Sequence, residues 1–583
     1  MATRTGDGAL LAKDSACGPF AGPPDRTQGF NRATIEAYTA VGDWDGDTIA
    51  DLVGRNALAT PDQVAFYAPD ATLTWREYDD LSTQLAAAYT MTGWQPGDLL
   101  AVLLTGGALT HVAYLAAQKA GLVTVGIGPR AGDAEVAHLI RHTGAAALAT
   151  RSAHRGLPGA EIAARAGAPR HVVLALAGGS ISMSCDGVTA PILAIDEAHS
   201  AVAGRGLGPD DLFFLNSTSG TTGLPKCVQG TMNTRKYFGP LAAEAAGFGP
   251  DEVVASVLPA PYGFGLWSAH IVPAQYGFPT VLVDSFDAAA TLRLLERHRV
   301  TVLAAVTSQF LMMLTAPEFD RRNLSSLRIM FTGGERVPYR RAVDFEDRTG
   351  AAVLQFYGSN EAGPLSVTRV TDDRAHRLGT AGRAIGAMRV RLLSPEGTDV
   401  TAEGGPGQVA AKGPGCTPGY FRDEAANAAL FRPDGWMLTG DLARLDSDGY
   451  LTVTGRAADF IIRGGHNVSA PAVEEAVGAH PRVAQVAVVP VPDELLGERV
   501  CAYVVTRDGQ ELGLDELREH LDAMGVGKQN WPERLACLPE LPLSTGAKVD
   551  KVALRADAVT RFPPPPHPAP AQPRADLGVS RAS

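Results

Sequence analysis

The chain has 583 residues, 45% hydrophobic and 20% charged, a globular composition that excludes collagenous, disulfide-dense and intrinsically disordered proteins. At about 100–200 residues per domain, this length suggests about three to five domain-sized units. The 51 basic and 63 acidic residues leave a formal net charge of −12, so the bulk field repels phosphate backbones and anionic lipid; neither nucleic acid nor a membrane surface is an expected partner. The six cysteines (Cys17, Cys185, Cys227, Cys416, Cys501, Cys537) have no metal-ligand or Cys-x-x-Cys spacing and read as reduced thiols. Without an apolar leader or a run of about 18 apolar residues, no membrane span is expected and the localisation reads as cytoplasmic.

Residues 1–28 are rich in Gly, Ala, Pro and Asp without a period and read as a disordered arm. Thr74-Trp-Arg-Glu77 is a capping box that predicts a helix with Tyr78, Leu81, Leu85 and Tyr89 on one face. Pro96-Gly97-Asp98 stops it. A strand over Leu99 to Leu104, a helical stretch to Ala120 and a strand over Val123 to Ile127 then make a βαβ unit. Buried-type strands are predicted at Asp211 to Leu215, Val253 to Leu258, Val300 to Val306 and Leu327 to Phe331. The fold class is α/β, a large domain of mostly parallel sheets covered by helices. From about Asp459 the elements shorten, with helices near Val473 to Val477 and Leu514 to Leu521 and strands at Val483 to Val489 and Cys501 to Val505, which suits a smaller α+β domain. The proline-rich segment from Phe562 (562–583) can form neither helix nor central strand and reads as a disordered tail.

Chemistry concentrates in Ser217-Thr-Ser-Gly-Thr-Thr-Gly-Leu-Pro-Lys226, directly after a predicted strand. Gly220 and Gly223 let backbone amides approach an oxyanion, Thr218, Ser219, Thr221 and Thr222 supply hydroxyl donors, and Lys226 supplies a point charge. The stretch is a phosphate cradle without the Walker spacing. Lysine is scarce here, eight residues against 43 arginines, and the two are not interchangeable at such a site.

This decapeptide resembles the phosphate loop of the adenylate-forming superfamily, the acyl-CoA synthetases and AMP-dependent ligases, and further family-like motifs follow in order across about residues 50–555. Tyr357-Gly358-Ser359-Asn360-Glu361 resembles the motif that packs an aromatic ring on adenine and offers a Glu to Mg²⁺. Trp436-Met-Leu-Thr-Gly-Asp441 resembles the segment whose Asp grips the ribose hydroxyls. Gly455-Arg456 and Ile461-Ile-Arg463-Gly464-Gly465-His-Asn467 are similar to the interdomain hinge and the pantetheine tunnel loop, and Pro542 to Lys551 to the loop that carries a lysine, Lys548, into the active site.

The resemblance implies ATP and coenzyme A as substrates, Mg²⁺ as the metal on Glu361, and catalytic Lys548, Lys226 and Glu361. It adds Gly334 and Glu335 to the nucleotide site, and it divides the chain into a nucleotide- and acyl-binding domain (29–456), a hinge at 457–458 and a mobile domain (459–561). The implied acyl pocket is bounded by Tyr262, Gly263, Phe264, Trp267, Ser308, Phe310 and Gly333, a mostly aromatic and small set that favours a hydrophobic, cyclic or aryl acid. No Asp stands beside Tyr262 to pair an ammonium, which disfavours amino acids. The function implied is an acyl-CoA ligase that works through an acyl adenylate. An alternative is an enzyme that loads a carrier protein, or one that converts only an adenylate supplied by a companion enzyme; a non-enzymatic nucleotide binder is disfavoured by the retained motif residues. Four departures from the family pattern bear on this: Ala458 at the hinge, Asn360 in place of Thr, Cys227 in place of Gly after the loop lysine, and Ala547 in place of Gly before Lys548. Ala547 costs about 1 kcal/mol or more if the position needs φ > 0. The last three touch the adenylation step.

Overall fold

The computed structural model describes residues 30–563 except 218–224, 336, 457–459, 464–465, 494–495, 525 and 545–547. The arm at 1–28, the loop residues Thr218 to Gly223, the hinge residue Ala458, Gly464, Gly465, Ala547 and the tail after residue 563 lie outside the described residues. The chain divides into two compact units, Met1–Ala458 with Leu543–Asp550, and Asp459–Pro542 with Lys551–Ser583. The return of Leu543–Asp550 to the first unit is absent from a purely linear division of the sequence.

In the first unit the helix Trp75–Met91 starts where its capping box dictates: the Thr74 hydroxyl accepts the Glu77 amide, and the Glu77 carboxylate accepts the Thr74 amide at 2.8 Å. Its apolar stripe, Tyr78, Leu81, Leu85 and Tyr89, is buried. This helix and the helix Ala108–Lys119 share one core with strands of two different sheets, Val64–Tyr67 in one and Leu99–Val102 and Leu212–Ser217 in the other. Each large apolar side chain buried there contributes about 1.5–3 kcal/mol.

The eight-stranded sheet runs parallel through its centre (His171–Ala177, Ala147–Thr150, Leu99–Val102, Val123–Gly126, Leu212–Ser217), and antiparallel strands close both edges. The nine-stranded sheet repeats the plan, with parallel strands Val64–Tyr67, Thr280–Leu282, Val254–Ser256, Val302–Ala304, Ile329–Gly333 and Ala352–Ser359 at its centre. Two of these strands are shorter than their predicted runs, Val253 to Leu258 yielding Val254–Ser256 and Val300 to Val306 yielding Val302–Ala304, while Leu327 to Phe331 is shifted to Ile329–Gly333. Ala305 and Val306 are buried past the strand end, so apolar character outlasts the pairing. A four-stranded antiparallel sheet, Arg389–Leu393, Gly407–Lys412, Met437–Leu445 and Leu451–Arg456, was not anticipated from the sequence. The strand expected at Asp211 to Leu215 runs Leu212–Ser217 and pairs antiparallel with Cys227–Thr231, so the phosphate-loop sequence connects two antiparallel strands.

The second unit is a five-stranded sheet of Phe460–Arg463, His466–Ser469, Val483–Asp493, Gly497–Thr506 and Arg534–Cys537. Its core gathers Val473 and Val477 from the helix Ala470–Gly478, and Leu517 and Leu521 from the helix Leu514–Ala523. Among the described residues, no helix is long and apolar enough to cross a membrane.

Between the helices Gly263–Leu266 and Val272–Tyr276 the residues Trp267–Ile271 form a π-helix. It carries His270, whose Nδ1 lies 3.4 Å from Nδ1 of His111 and 3.3 Å from the Tyr78 hydroxyl. Burial pulls His111 down to about 3 and His270 well below its ordinary value. Below about pH 6.5 the unfolded chain binds protons these imidazoles refuse in the fold, so stability falls as pH drops from there toward 3, by up to about 1.4 kcal/mol per pH unit for each histidine. Urea midpoints measured between pH 7.5 and 5 should fall, and less steeply in a His111→Asn/His270→Asn variant. Cys227 is buried, and desolvation pushes its thiol up to about 12. Native protein treated with iodoacetamide at pH 8 should therefore leave Cys227 unlabelled by peptide mass mapping, with labelling only after unfolding.

Candidate active site

The strand Leu212–Ser217 ends at the phosphate loop, where the Ser217 hydroxyl donates to the Gly126 carbonyl at 3.1 Å. The loop sequence resumes at a buried Pro225, whose carbonyl lies 3.1 Å from Nε2 of His138, and at an exposed Lys226. Lys226 Nζ stands 4.8 Å from the ring centroid of Tyr420, and the Tyr420 hydroxyl donates to Oε1 of Glu361 at 2.8 Å. Tyr420 thus touches both the loop cation and the metal-motif carboxylate. Cys227, where the family has Gly, is a core thiol that starts the next strand.

The strand Ala352–Ser359 delivers Tyr357, Gly358 and Ser359, and the turn that follows carries Asn360 and Glu361. The Ser359 hydroxyl accepts the amides of Glu361 and Ala362 at 3.2 and 3.0 Å, which fixes that turn. Tyr357 is buried and donates its hydroxyl to Oδ2 of Asp441 at 2.7 Å, with the Thr439 hydroxyl 3.1 Å away. Burial, aided by the Asp441 charge, holds the Tyr357 phenol well above its ordinary value. Asp441 and Arg456 are cross-strand partners, and the guanidinium Nε donates to Oδ1 at 2.9 Å. Both oxygens of Asp441 therefore have a donor.

Lys548, from the returning segment, reaches Gly334 at the end of the strand Ile329–Gly333. Gly334 has φ +81°, which favours glycine, and a Cβ there would stand 2.9 Å from Lys548 Nζ. Desolvation lowers the Lys548 pKa, opposed first by the Glu335 carboxylate and less by Asp441 and Glu361, while Arg456 acts with the desolvation. The sequence-predicted Lys548, Gly334, Glu335, Asp441, Arg456 and Glu361 are thus brought into one electrostatic neighbourhood.

The acyl residues separate into groups. Gly263 opens the helix Gly263–Leu266; Phe264 meets Phe356 edge-on at 4.7 Å, and Trp267 meets Phe331 at 5.4 Å and Phe238 at 5.0 Å, giving an aromatic wall. Ser308 is buried at the start of the helix Thr307–Thr315. Gly333 presses on Phe356, where a Cβ would come within 2.6 Å of its carbonyl oxygen. Phe310 and Tyr262 have their own packing partners. Phe310 is fully buried against Phe345 in a core cluster, where its apolar surface is already covered by protein. Tyr262 places its hydroxyl in the space a side chain on Gly128 would take.

In the second unit Arg463, expected at the mouth of the coenzyme A tunnel, pairs with Glu533 at 2.8 Å, a carboxylate that Arg499 shares at 3.2 Å. Reading the sequence missed two residues of the site, Tyr420 and Arg235. Arg235 donates from Nη2 to Oδ1 of Asn216 at 2.8 Å and from Nη1 to the Asn360 carbonyl at 3.0 Å. A lone Tyr after Gly419 and one Arg among 43 carry no local signal.

The model of the AMP-binding enzyme family matches residues 53–421, and that of the AMP-binding enzyme C-terminal domain matches residues 472–548. The chain is 31% identical over 552 residues to the medium-chain fatty-acid–CoA ligase of Escherichia coli (strain K12), covering 91% of this chain and 94% of that protein. It is 32% identical over 534 residues to a salicylyl-CoA synthase / salicylate adenylyltransferase of Streptomyces sp, covering 90% and 96%. The structure of the anthranilate CoA ligase AuaEII in complex with anthranoyl-AMP aligns with a TM-score of 0.78 at 22% identity, over 89% of this chain and 98% of that one, a likeness of fold. With strand-end motifs gathered as described and a family model spanning most of the first unit, the chain belongs to the AMP-binding enzyme family and has the adenylate-forming fold.

Proposed function

We propose that the chain is an acyl-CoA ligase that converts a hydrophobic, cyclic or aryl carboxylic acid to its coenzyme A thioester through an acyl adenylate. The observation that carries this reading is Lys548 beside Gly334, its buried ammonium in the field of Glu335, Asp441 and Glu361, within the unit that also holds the phosphate-loop strand. In the first half-reaction an oxygen of the acid attacks the α-phosphorus of ATP, the bond to the bridging oxygen breaks and pyrophosphate leaves. Charge rises on the phosphate oxygens, and fixed cations are what such a transition state needs; Lys226 and Lys548 supply them here. In the second, the coenzyme A thiol attacks the acyl carbon, its proton passes to solvent and AMP departs.

Glu361 suits a hard cation. Tyr420 takes Oε1, Oε2 has no hydrogen-bond partner among the described residues, and Mg²⁺ commonly uses one or two carboxylates with phosphate oxygens and water as its other ligands. Among the described residues no cluster of three or more His, Cys, Asp or Glu side chains could hold a metal alone, which suits an ion shared with the nucleotide. Bound there, Mg²⁺ would offset phosphate charge.

The aromatic wall of Phe264, Trp267 and Phe356 supports an apolar or aryl acid, as do relatives named for medium-chain fatty acids and salicylate. Of the three departures at the adenylation step, Cys227 and Asn360 have settled structural places, a core thiol and a bond to the Gly263 amide at 3.0 Å. That favours retention of both half-reactions over the single-step alternative.

The test is carboxylate-dependent exchange of labelled pyrophosphate into ATP across aryl, alicyclic and fatty acids, beside thioester formation from synthetic acyl adenylates with coenzyme A or a carrier protein as acceptor. Exchange with one acid class and thioester formation on coenzyme A are expected, and Lys548→Ala should lower exchange by about 100-fold or more. Thioester formation without exchange would leave the single-step reading, acylation of the carrier alone would leave the carrier-loading one, and absence of both activities would overturn all three.

A further inference from the structure

Arg235 lies in the short helix Met232–Lys236, whose start is fixed by the reciprocal bonds of Thr231 and Thr234. The guanidinium is partly buried, with Nε enclosed against Gly230 and, among the described residues, without a hydrogen-bond acceptor. Desolvation pulls its pKa down to about 10, with Glu361 acting the other way, so it remains a cation at neutral pH. Both of its direct acceptors are neutral, the Asn216 side-chain oxygen and the Asn360 carbonyl. Among the described residues Arg235 has no ion pair; a desolvated cation of that kind is costly, and a neutral residue would fill a merely structural place more cheaply.

Its two bonds belong to a closed circuit. Asn216, which Arg235 grips by Oδ1, donates from Nδ2 to the Pro261 carbonyl at 2.6 Å. Asn360, gripped by its carbonyl, accepts the Gly263 amide on Oδ1 at 3.0 Å. The acyl segment is therefore tethered on either side of Tyr262, by the carbonyl before it and the amide after it. Gly263 permits the second tether, since a Cβ there would stand 2.5 Å from Oδ1 of Asn360. Asn216 is two residues before the phosphate-loop hydroxyl Thr218, and Asn360 is one residue before Glu361. One planar fork thus spans the three segments that carry the phosphate, metal and acyl contacts, which a flexible point charge such as lysine does less well.

We propose that Arg235 is a positioning residue of this site: through Asn216 and Asn360 it sets the acyl segment Pro261–Gly263 against the phosphate-loop strand and the Glu361 turn, so that acid and nucleotide meet in one geometry. This rests on the ligase reading above. It also accounts for Asn360 standing where the family has Thr, because the longer amide reaches the Gly263 amide.

The experiment compares Arg235→Met, Arg235→Lys, Asn216→Ala and Asn360→Ala with the wild type by three readouts: pyrophosphate exchange with the best acid of the panel, thermal midpoint, and hydrogen–deuterium exchange of the peptide containing the Gly263 amide. Arg235→Met should lower kcat about 100-fold and raise KM for the acid while KM for ATP changes little, since misplacement by about 1 Å costs on that order. Arg235→Lys should recover about tenfold of the loss. Arg235→Met/Asn360→Ala should be little worse than either single variant, as members of one network are non-additive. The Gly263 amide should exchange faster in Arg235→Met and Asn360→Ala at an unchanged thermal midpoint. An Arg235→Met enzyme with kcat within about threefold of wild type, or a Gly263 amide as protected as before, would overturn the proposal; if Arg235→Met does not fold, Asn216→Ala and Asn360→Ala decide it by the same two readouts. Should the wild type exchange pyrophosphate with no acid, the ligase reading fails, and the Gly263 amide still reports on the circuit.

Discussion

Parallel pairing forces neighbouring strands to release the chain at the same end of the sheet, and the Gly334–Glu335, Asn360–Glu361, Ser308 and Pro261–Gly263 parts of this site depend on that constraint. Ile329–Gly333 releases Gly334 and Glu335, Ala352–Ser359 releases Asn360 and Glu361, and Val302–Ala304 leads to Ser308. Val254–Ser256 leads to the Pro261–Gly263 segment in the same sheet, while Leu212–Ser217 arrives from the other sheet. The bond from Asn216 to the Pro261 carbonyl joins the two sheet ends directly.

Charge is arranged against the trend of the molecule as a whole. The chain carries −12 overall, yet Lys226, Arg235, Arg456 and Lys548 gather where the named carboxylates are Glu335, Glu361 and Asp441. Each carboxylate is engaged locally: Asp441 by Tyr357 and Arg456, Glu361 by Tyr420, and Glu335 in the field of Lys548. Such a cluster is balanced by a polyanionic ligand.

What was legible in the sequence was what local rules encode. The capping box at Thr74, the buried stripe from Tyr78 to Tyr89 and the βαβ order were all readable because short spacing determines them. The electrostatic neighbourhood of Gly334, Glu335, Glu361, Asp441, Arg456 and Lys548 was approached through motif resemblance, since no spacing rule links residues more than two hundred positions apart. Tyr420 and Arg235 escaped because their significance lies in partners far along the chain, Glu361 and Asn216 with Asn360. The antiparallel sheet from Arg389 to Arg456 escaped for another reason: Arg389–Leu393 grades from partly buried to buried instead of alternating, so the strand lacks a clean period. Phe310 illustrates the limit of motif position alone, since its burial against Phe345 in a core cluster cannot be read from the sequence.

The π-helix at Trp267–Ile271 links the aromatic wall to the interior through its winding. A π turn holds one more residue than an α turn, so it sets the angular phase between the helical segments on its two sides. Trp267 faces Phe238 and Phe331, while His270, three residues on, faces His111 and Tyr78 in the helical core. That extra residue makes the segment a gear with a fixed tooth count: deleting one residue would let it rewind as α-helix and rotate one face by about 100° relative to the other. The contour of the aromatic wall and the packing of the deep core are thus coupled through the length of this segment.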